Sequence, residues 1–122
     1  MKKHLSILYV DDEYINLELF SMCFKGIFYV EKAISGEDAL KLLKEVSIYD
    51  IIISDMNMPE MDGLQFIKEA LQVCGNIPCF ILSGYNLNEE IKKAVNEGIV
   101  KEFIQKPFDK ENLISLVEKW VQ

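Results

Sequence analysis

The chain has few cysteines and no long hydrophobic run, and each of these features excludes a class of protein. Its three cysteines, Cys23, Cys74 and Cys79, are an odd number without C-x-x-C spacing, whereas disulfide frameworks and zinc sites need paired spacings. We therefore expect all three to be small buried hydrophobic residues. No stretch approaches the roughly 20 apolar residues of a membrane span, and no signal-peptide core follows the first residues. We expect a cytoplasmic location and no membrane contact.

Basic clusters and flexible linkers are also lacking. The chain has 20 acidic and 13 basic residues and a net charge of −7, and its basic clusters are no longer than the pairs Lys2-Lys3 and Lys92-Lys93. An acidic chain is repelled by phosphate backbones, so we expect no direct binding to nucleic acid. No Pro/Gly/Ser-rich stretch divides the 122 residues, half of which are hydrophobic. The sequence therefore predicts one globular domain over 1–122, with no output domain attached.

What the chain does have is a regular alternation of short apolar runs and helical spacing. The runs cover 7–10, 28–30 together with 33–34, 51–53, 79–82 and 100–104. The apolar residues that follow them at helical spacing are Ile15, Leu19 and Met22, then Ala39, Leu40, Leu43 and Val46, then Leu64, Ile67 and Leu71, then Leu87, Ile91 and Val95, and last Leu113, Val117 and Trp120. Ser35 and Asp109 are predicted helix N-caps, and Gly98 suits a helix C-terminus. Strict alternation predicts an α/β fold, a flavodoxin-like (βα)5 three-layer sandwich.

Polar residues stand where four of the five predicted strands end. Asp11 and Asp12 follow the first strand, Asp55 the third, Ser83 the fourth and Lys106 the fifth. In open parallel sheets, ligands bind outside the carboxyl ends of the strands, near the point where the strand order reverses. The second strand contributes no such residue, which fits an edge position in a five-stranded parallel sheet of order 2-1-3-4-5.

The three carboxylates would repel one another unless a cation joins them. A hard divalent ion is the natural partner, because Mg²⁺ takes oxygen ligands and is held by one or two carboxylates. We expect Mg²⁺ or Mn²⁺ here, with Lys106 as a second positive charge. The alternative is a buried ion-pair network that serves only structure, although such networks add little stability over apolar packing.

Together these motifs resemble the receiver domain of two-component response regulators, as a single domain like the chemotaxis regulators. The resemblance rests on Asp11-Asp12, on the segment 55–63 with sequence DMNMPEMDG, on Ser83-Gly84 and on Lys106-Pro107-Phe108. It covers essentially the whole chain in the right order. It implies that Asp55 accepts a phosphoryl group from a sensor histidine kinase or a phosphotransfer protein.

The resemblance also implies roles for the neighbouring groups. Asp12 would bind the metal directly and Asp11 through water, with Asp55 and the backbone carbonyl of Asn57 completing the protein ligands. Ser83 would hydrogen-bond one phosphoryl oxygen and Lys106 would pair with another. These groups would stabilise charge during phosphoryl transfer. The chain would catalyse only its own phosphorylation and dephosphorylation, and would not otherwise be an enzyme.

Switching is expected to spread from Ser83 to an aromatic residue, Phe103, which in receivers turns inward. The alternative for Phe103 is simple packing. A downstream protein would read the change on the fourth helix, fifth strand and fifth helix, where Lys92, Lys93, Lys101 and Lys110 are expected to be exposed.

Two further residues have open alternatives. Asn57 and Tyr85 lie at positions that in receivers border the path of the attacking water, so Tyr85 is expected either to lengthen the phosphorylated lifetime or only to cover the helix entry. The bond between Lys106 and Pro107 is expected to be cis, as is common in receivers, and the alternative is an ordinary trans proline.

Two other functions use similar elements. Aspartyl-phosphate phosphatases of the haloacid dehalogenase type need a second acid two residues after the nucleophile, where this chain has Asn57. A flavodoxin-like cofactor carrier needs a Ser/Thr/Gly-rich phosphate loop after the first strand, where this chain has Asp12-Glu13-Tyr14-Ile15. The chain could be a stand-alone regulator or a receiver cut from a larger protein, and the initial Met1 favours the former.

Overall fold

A computed structural model describes residues 4–45 and 48–121, in which five strands alternate with five helices. The strands are β1 (Ser6–Val10), β2 (Tyr29–Ala33), β3 (Ile51–Asp55), β4 (Cys79–Ser83) and β5 (Glu102–Gln105). The helices are α1 (Tyr14–Cys23), α2 (Gly36–Glu45), α3 (Gly63–Cys74), α4 (Glu89–Asn96) and α5 (Lys110–Trp120).

All neighbouring strands pair in parallel, in the order β2-β1-β3-β4-β5. The predicted fold class and strand order are therefore confirmed. β3 and β4 are buried along their full length, because both faces of the sheet are covered by helices. Two apolar clusters fill the layers: one contains the buried residues of α2, α3 and α4, and the other those of α1 and α5.

Helix ends follow the predicted capping residues. Ser35 accepts a hydrogen bond from the backbone N–H of Asp38 at 3.0 Å, and Asp109 accepts one from Asn112 at 3.2 Å. Gly98 follows α4 with φ of 81°, a left-handed conformation that glycine adopts without the cost of a Cβ.

The predicted buried stripe of α1 is wrong. Ile15, Leu19 and Met22 are 70%, 58% and 69% exposed. The face turned to the sheet instead carries Leu17 and Phe20, which are 3% and 2% exposed. The helix has two interleaved apolar stripes of helical spacing, and the aromatic one fills the space above β1.

Four smaller expectations also need correction. Leu87 is 46% exposed and precedes α4, whose core contacts come from Ile91 and Ala94. The last strand begins at Glu102 rather than at residue 100. Cys79 is buried as expected, but Cys23 and Cys74 are only partly buried. Lys101 is half-buried beside the Trp120 ring rather than exposed.

The other predicted helix stripes agree with the structure where it describes them. Their members lie in, or pack against, the two apolar clusters: Ala39, Leu40, Leu43, Leu64, Ile67, Leu71, Val95, Leu113, Val117 and Trp120. Val46 lies outside the described residues.

Candidate functional site at the carboxyl ends of the strands

The acidic pair at the end of β1 is positioned by local hydrogen bonds. Asp11 is fully buried and Asp12 is half-buried. One carboxylate oxygen of Asp11, Oδ1, accepts from the backbone N–H of Glu13 at 3.0 Å. The other, Oδ2, accepts from the Tyr9 hydroxyl at 2.9 Å. The Asp11 carboxylate is therefore fixed from both sides.

Asp55 ends β3 and is 9% exposed. Its position depends on the following turn, in which the backbone N–H of Gly63 donates to the carbonyl oxygen of Met56 at 2.8 Å. A Cβ at Gly63 would overlap the backbone carbonyl of Asp55, so this close approach requires glycine. Asp62 caps α3 by accepting from the N–H of Gln65 at 2.8 Å. These contacts hold the start of α3 against the end of β3.

The three carboxylates meet at one point. One ligand oxygen each from Asp11, Asp12 and Asp55 lies within 4.8 Å of the other two. The ammonium group of Lys106 lies 3.3 Å from Oδ2 of Asp11 and 3.5 Å from Oδ1 of Asp55. Lys106 is thus shared by the two buried acids.

The electrostatics of the site disfavour a charged Asp55 in the metal-free protein. Burial raises the pKa of Asp55 to about 6, the Lys106 ammonium offsets part of that rise, and the negative charges of Asp11 and Asp12 add to it. A bound divalent cation would reverse this balance. The donor set fits such an ion, because it offers the carboxylate oxygens that Mg²⁺ prefers.

Ser83 and Lys106 are brought to the same edge by the pairing of β4 with β5. Ser83 pairs with Gln105 in the ladder, and its backbone carbonyl accepts from the Lys106 N–H at 2.7 Å. The Ser83 hydroxyl oxygen accepts from the N–H of Tyr85 at 3.1 Å. The bond between Lys106 and Pro107 is cis.

The remaining predicted residues lie around this group. Asn57 is exposed two residues beyond Asp55, and Tyr85 is 69% exposed in the loop after β4. Phe103 is half-buried in β5 and packs against the cluster under α2, α3 and α4.

The sequence motifs missed Tyr9. Its hydroxyl contacts Asp11 from the buried interior, and its ring is 1% exposed. Burial, with the charges of Asp11 and Asp55 nearby, raises the pKa of Tyr9 far above its usual range, so the phenol stays protonated as a donor. Because side chains two residues apart in a strand share a face, the pair Tyr9 and Asp11 could have been found from spacing.

Comparison of the sequence with known protein families identifies the family to which the chain belongs. The model of the response regulator receiver domain matches residues 7–118, nearly the whole chain. The chain belongs to this receiver family. Receiver domains are the phosphoacceptor switches of two-component systems, and they bind Mg²⁺ at an acidic pocket. The phosphatase alternative has no support.

Relatives agree in sequence and in structure. The receiver is 32% identical over 117 residues to the transcriptional regulatory protein ZraR of Escherichia coli, covering 95% of this chain and 26% of the relative. It is also 32% identical to the hydrogenase transcriptional regulatory protein HoxA of Bradyrhizobium diazoefficiens, covering 96% and 24% of the two chains. The chain thus spans about a quarter of each of these regulators.

A similar solved structure is that of the chemotaxis protein CheY4 of Vibrio cholerae. It is 26% identical with a TM-score of 0.85, and the match covers 97% of this chain and 99% of that one. Among the described residues, no helix of the receiver is long and apolar enough to cross a membrane.

Proposed function

We propose that Asp55 is the phosphoacceptor of this receiver and that its phosphorylation is the signal. The observation that carries the proposal is the convergence of Asp11, Asp12, Asp55 and Lys106 at one edge of the sheet. Asp55 ends a strand at the mouth of the site, with an ammonium group 3.5 Å from its oxygen. This arrangement positions a carboxylate nucleophile beside positive charge.

As the donor we propose the phosphorylated histidine of a sensor histidine kinase or of a phosphotransfer protein. A carboxylate oxygen of Asp55 forms the new bond to phosphorus while the bond to the histidine nitrogen breaks, and the nitrogen keeps the electron pair. Lys106 pairs with one phosphoryl oxygen. The Ser83 hydroxyl, whose oxygen already accepts from Tyr85, donates to another.

Asp12, Asp55 and the backbone carbonyl of Asn57 would hold Mg²⁺ or Mn²⁺ directly, and Asp11 would hold it through water. When bound, the ion would neutralise negative charge on the carboxylates and on the phosphoryl oxygens. The same residues would catalyse the chain's own phosphorylation and dephosphorylation, with no outside substrate turned over.

The output is proposed to be a protein contact on the α4-β5-α5 face. Lys92, Lys93 and Lys110 are exposed there, and Phe103 in β5 connects this face to the buried layer. With a net charge of −7, the chain is unsuited to contact nucleic acid itself. We place it in the cytoplasm as one receiver domain over 1–122.

Acetyl phosphate labelling tests the proposal, with intact mass as the readout. With Mg²⁺ we expect one phosphoryl group on the parent chain and on Asp50→Asn, a control at the opposite end of β3. Asp55→Asn should stay unlabelled, and a chelator should greatly slow labelling of the parent. Equal labelling of Asp55→Asn would contradict the assignment.

A further inference from the structure

The hydroxyl group of Tyr9 reaches the acidic site from the interior of the protein. Tyr9 lies in β1 and packs in the apolar cluster of α1 and α5, and Asp11 comes directly after the end of the strand. The hydroxyl donates to Oδ2 of Asp11 at 2.9 Å. Tyr9 and Asp11 are 1% and 0% exposed, so bulk water does not replace this bond easily.

The Tyr9 ring is held by aromatic packing. It stacks on Phe20 of α1 with the ring centroids 3.9 Å apart and the planes at 10°. Phe20 in turn contacts Phe108, two residues after Lys106, at 5.9 Å. Because the ring is fixed on this side, the direction of the hydroxyl group toward Asp11 is fixed too.

Oδ2 of Asp11 is shared by two donors, the Tyr9 hydroxyl at 2.9 Å and the Lys106 ammonium at 3.3 Å. In the proposed function Lys106 pairs with a phosphoryl oxygen on Asp55, which draws its charge away from Asp11. Leaving a buried carboxylate oxygen without a donor is costly. Among the residues that the structure describes, Tyr9 is the side chain that could still satisfy this oxygen.

We propose that Tyr9 is a positioning residue that allows Lys106 to leave Asp11 for the phosphoryl group. Its hydroxyl keeps Asp11 hydrogen-bonded in the phosphorylated state and so lowers the free energy of that state. Without the hydroxyl, Asp11 retains Lys106 more strongly. The inference rests on the proposed function, because it requires a phosphoryl group on Asp55.

Tyr9→Phe tests the inference, since it removes the hydroxyl and keeps the stacked ring. The readout is the affinity for beryllofluoride, which imitates the phosphoryl group, measured by NMR titration at saturating Mg²⁺. We expect about tenfold weaker binding, the equivalent of one charge-assisted hydrogen bond. Tyr49→Phe, which removes a phenol hydroxyl before β3 at the far end of the sheet, should bind like the parent.

Binding by Tyr9→Phe within twofold of the parent would overturn the inference. If the parent itself fails to bind beryllofluoride with Mg²⁺, the proposed function is overturned and the inference with it. The two failures are therefore distinguishable.

A second measurement does not depend on phosphorylation. We would measure denaturant unfolding without metal for the parent, Tyr9→Phe, Lys106→Met and the double variant. The free energies of unfolding form a double-mutant cycle. Because both donors bond to the same oxygen of Asp11, the free energy of unfolding of the double variant should fall by more than the sum of the decreases in the two single variants. Additive losses would show that the two donors are independent and would overturn the inference.

Discussion

At the scale of single residues, the site is a place where like charges are held together by the fold. Burial of Asp55 beside Asp11 and Asp12 opposes its ionisation even with Lys106 present. A divalent cation bound at the site would offset this energetic cost. The cost itself is measurable in the metal-free protein.

Asp55→Asn should stabilise the metal-free chain at neutral pH. The folded-state pKa of Asp55 is raised from 3.8 to about 6, so the stability lost on ionisation is absent below pH 4 and complete above pH 6. After allowance for solvent screening, the gain in free energy of unfolding should be about 1–3 kcal/mol at pH 7.5. It should vanish by pH 4, as measured by denaturant unfolding with a chelator present.

The control for this pH series is Asp38→Asn, at an exposed position in the first turn of α2. Its stability difference from the parent should change little over the same range. A constant difference between Asp55→Asn and the parent from pH 4 to 7.5 would contradict the electrostatic account.

Tyr85→Ala should shorten the phosphorylated lifetime severalfold. The ring is 69% exposed in the loop after β4, and the backbone N–H of Tyr85 is bonded to Ser83, so we expect the ring to hinder approach of water. Loss of the label after donor removal gives the rate. Tyr29→Ala, which removes a similarly exposed ring at the start of β2, should lose the label at the rate of the parent. An unchanged rate for Tyr85→Ala would refute the shielding role.

At the scale of elements, α1 shows what periodicity does not determine. Ile15, Leu19 and Met22 have helical spacing, but so do Leu17 and Phe20, and spacing alone does not say which stripe faces the sheet. The aromatic contacts of Phe20 with Tyr9 and Phe108 favour the second stripe. The exposed stripe leaves an apolar surface on α1.

Two leucines of α1 test which face of the helix packs on the sheet. Leu17→Ala should lower the free energy of unfolding by about 2–5 kcal/mol, because it removes a buried side chain, whereas Leu19→Ala should change it by about 0.5 kcal/mol or less. Denaturant unfolding of the two variants measures both. Similar losses for the two variants would contradict the orientation of the helix.

The positions of Asp11, Asp55, Ser83 and Lys106 could be predicted because each ends a strand, and parallel strands bring their ends to one edge. The fold could be predicted because apolar runs alternate regularly with residues of helical spacing. The hydrogen-bond donors to one carboxylate oxygen could not be predicted in this way. Tyr9 and Lys106 both donate to Oδ2 of Asp11 because packing sets the directions of their side chains.

At the scale of the whole molecule, the strands that carry Asp55 and Ser83 are more deeply buried than the strand on the proposed output face. β3 and β4 are fully buried and hold Asp55 and Ser83, whereas β5 is shorter, partly exposed and flanked by α4 and α5. Ser83 pairs with Gln105 of β5, and Lys106 follows that strand, so both residues connect the site to β5.

The residue that carries the phosphoryl group can be located directly. After labelling with acetyl phosphate and Mg²⁺, borohydride reduces an acyl phosphate to an alcohol, and peptide mass spectrometry then locates the altered aspartate. We expect alteration at Asp55 alone. Alteration at Asp11 or Asp12 instead, or none at Asp55 under conditions that label the chain, would contradict this expectation.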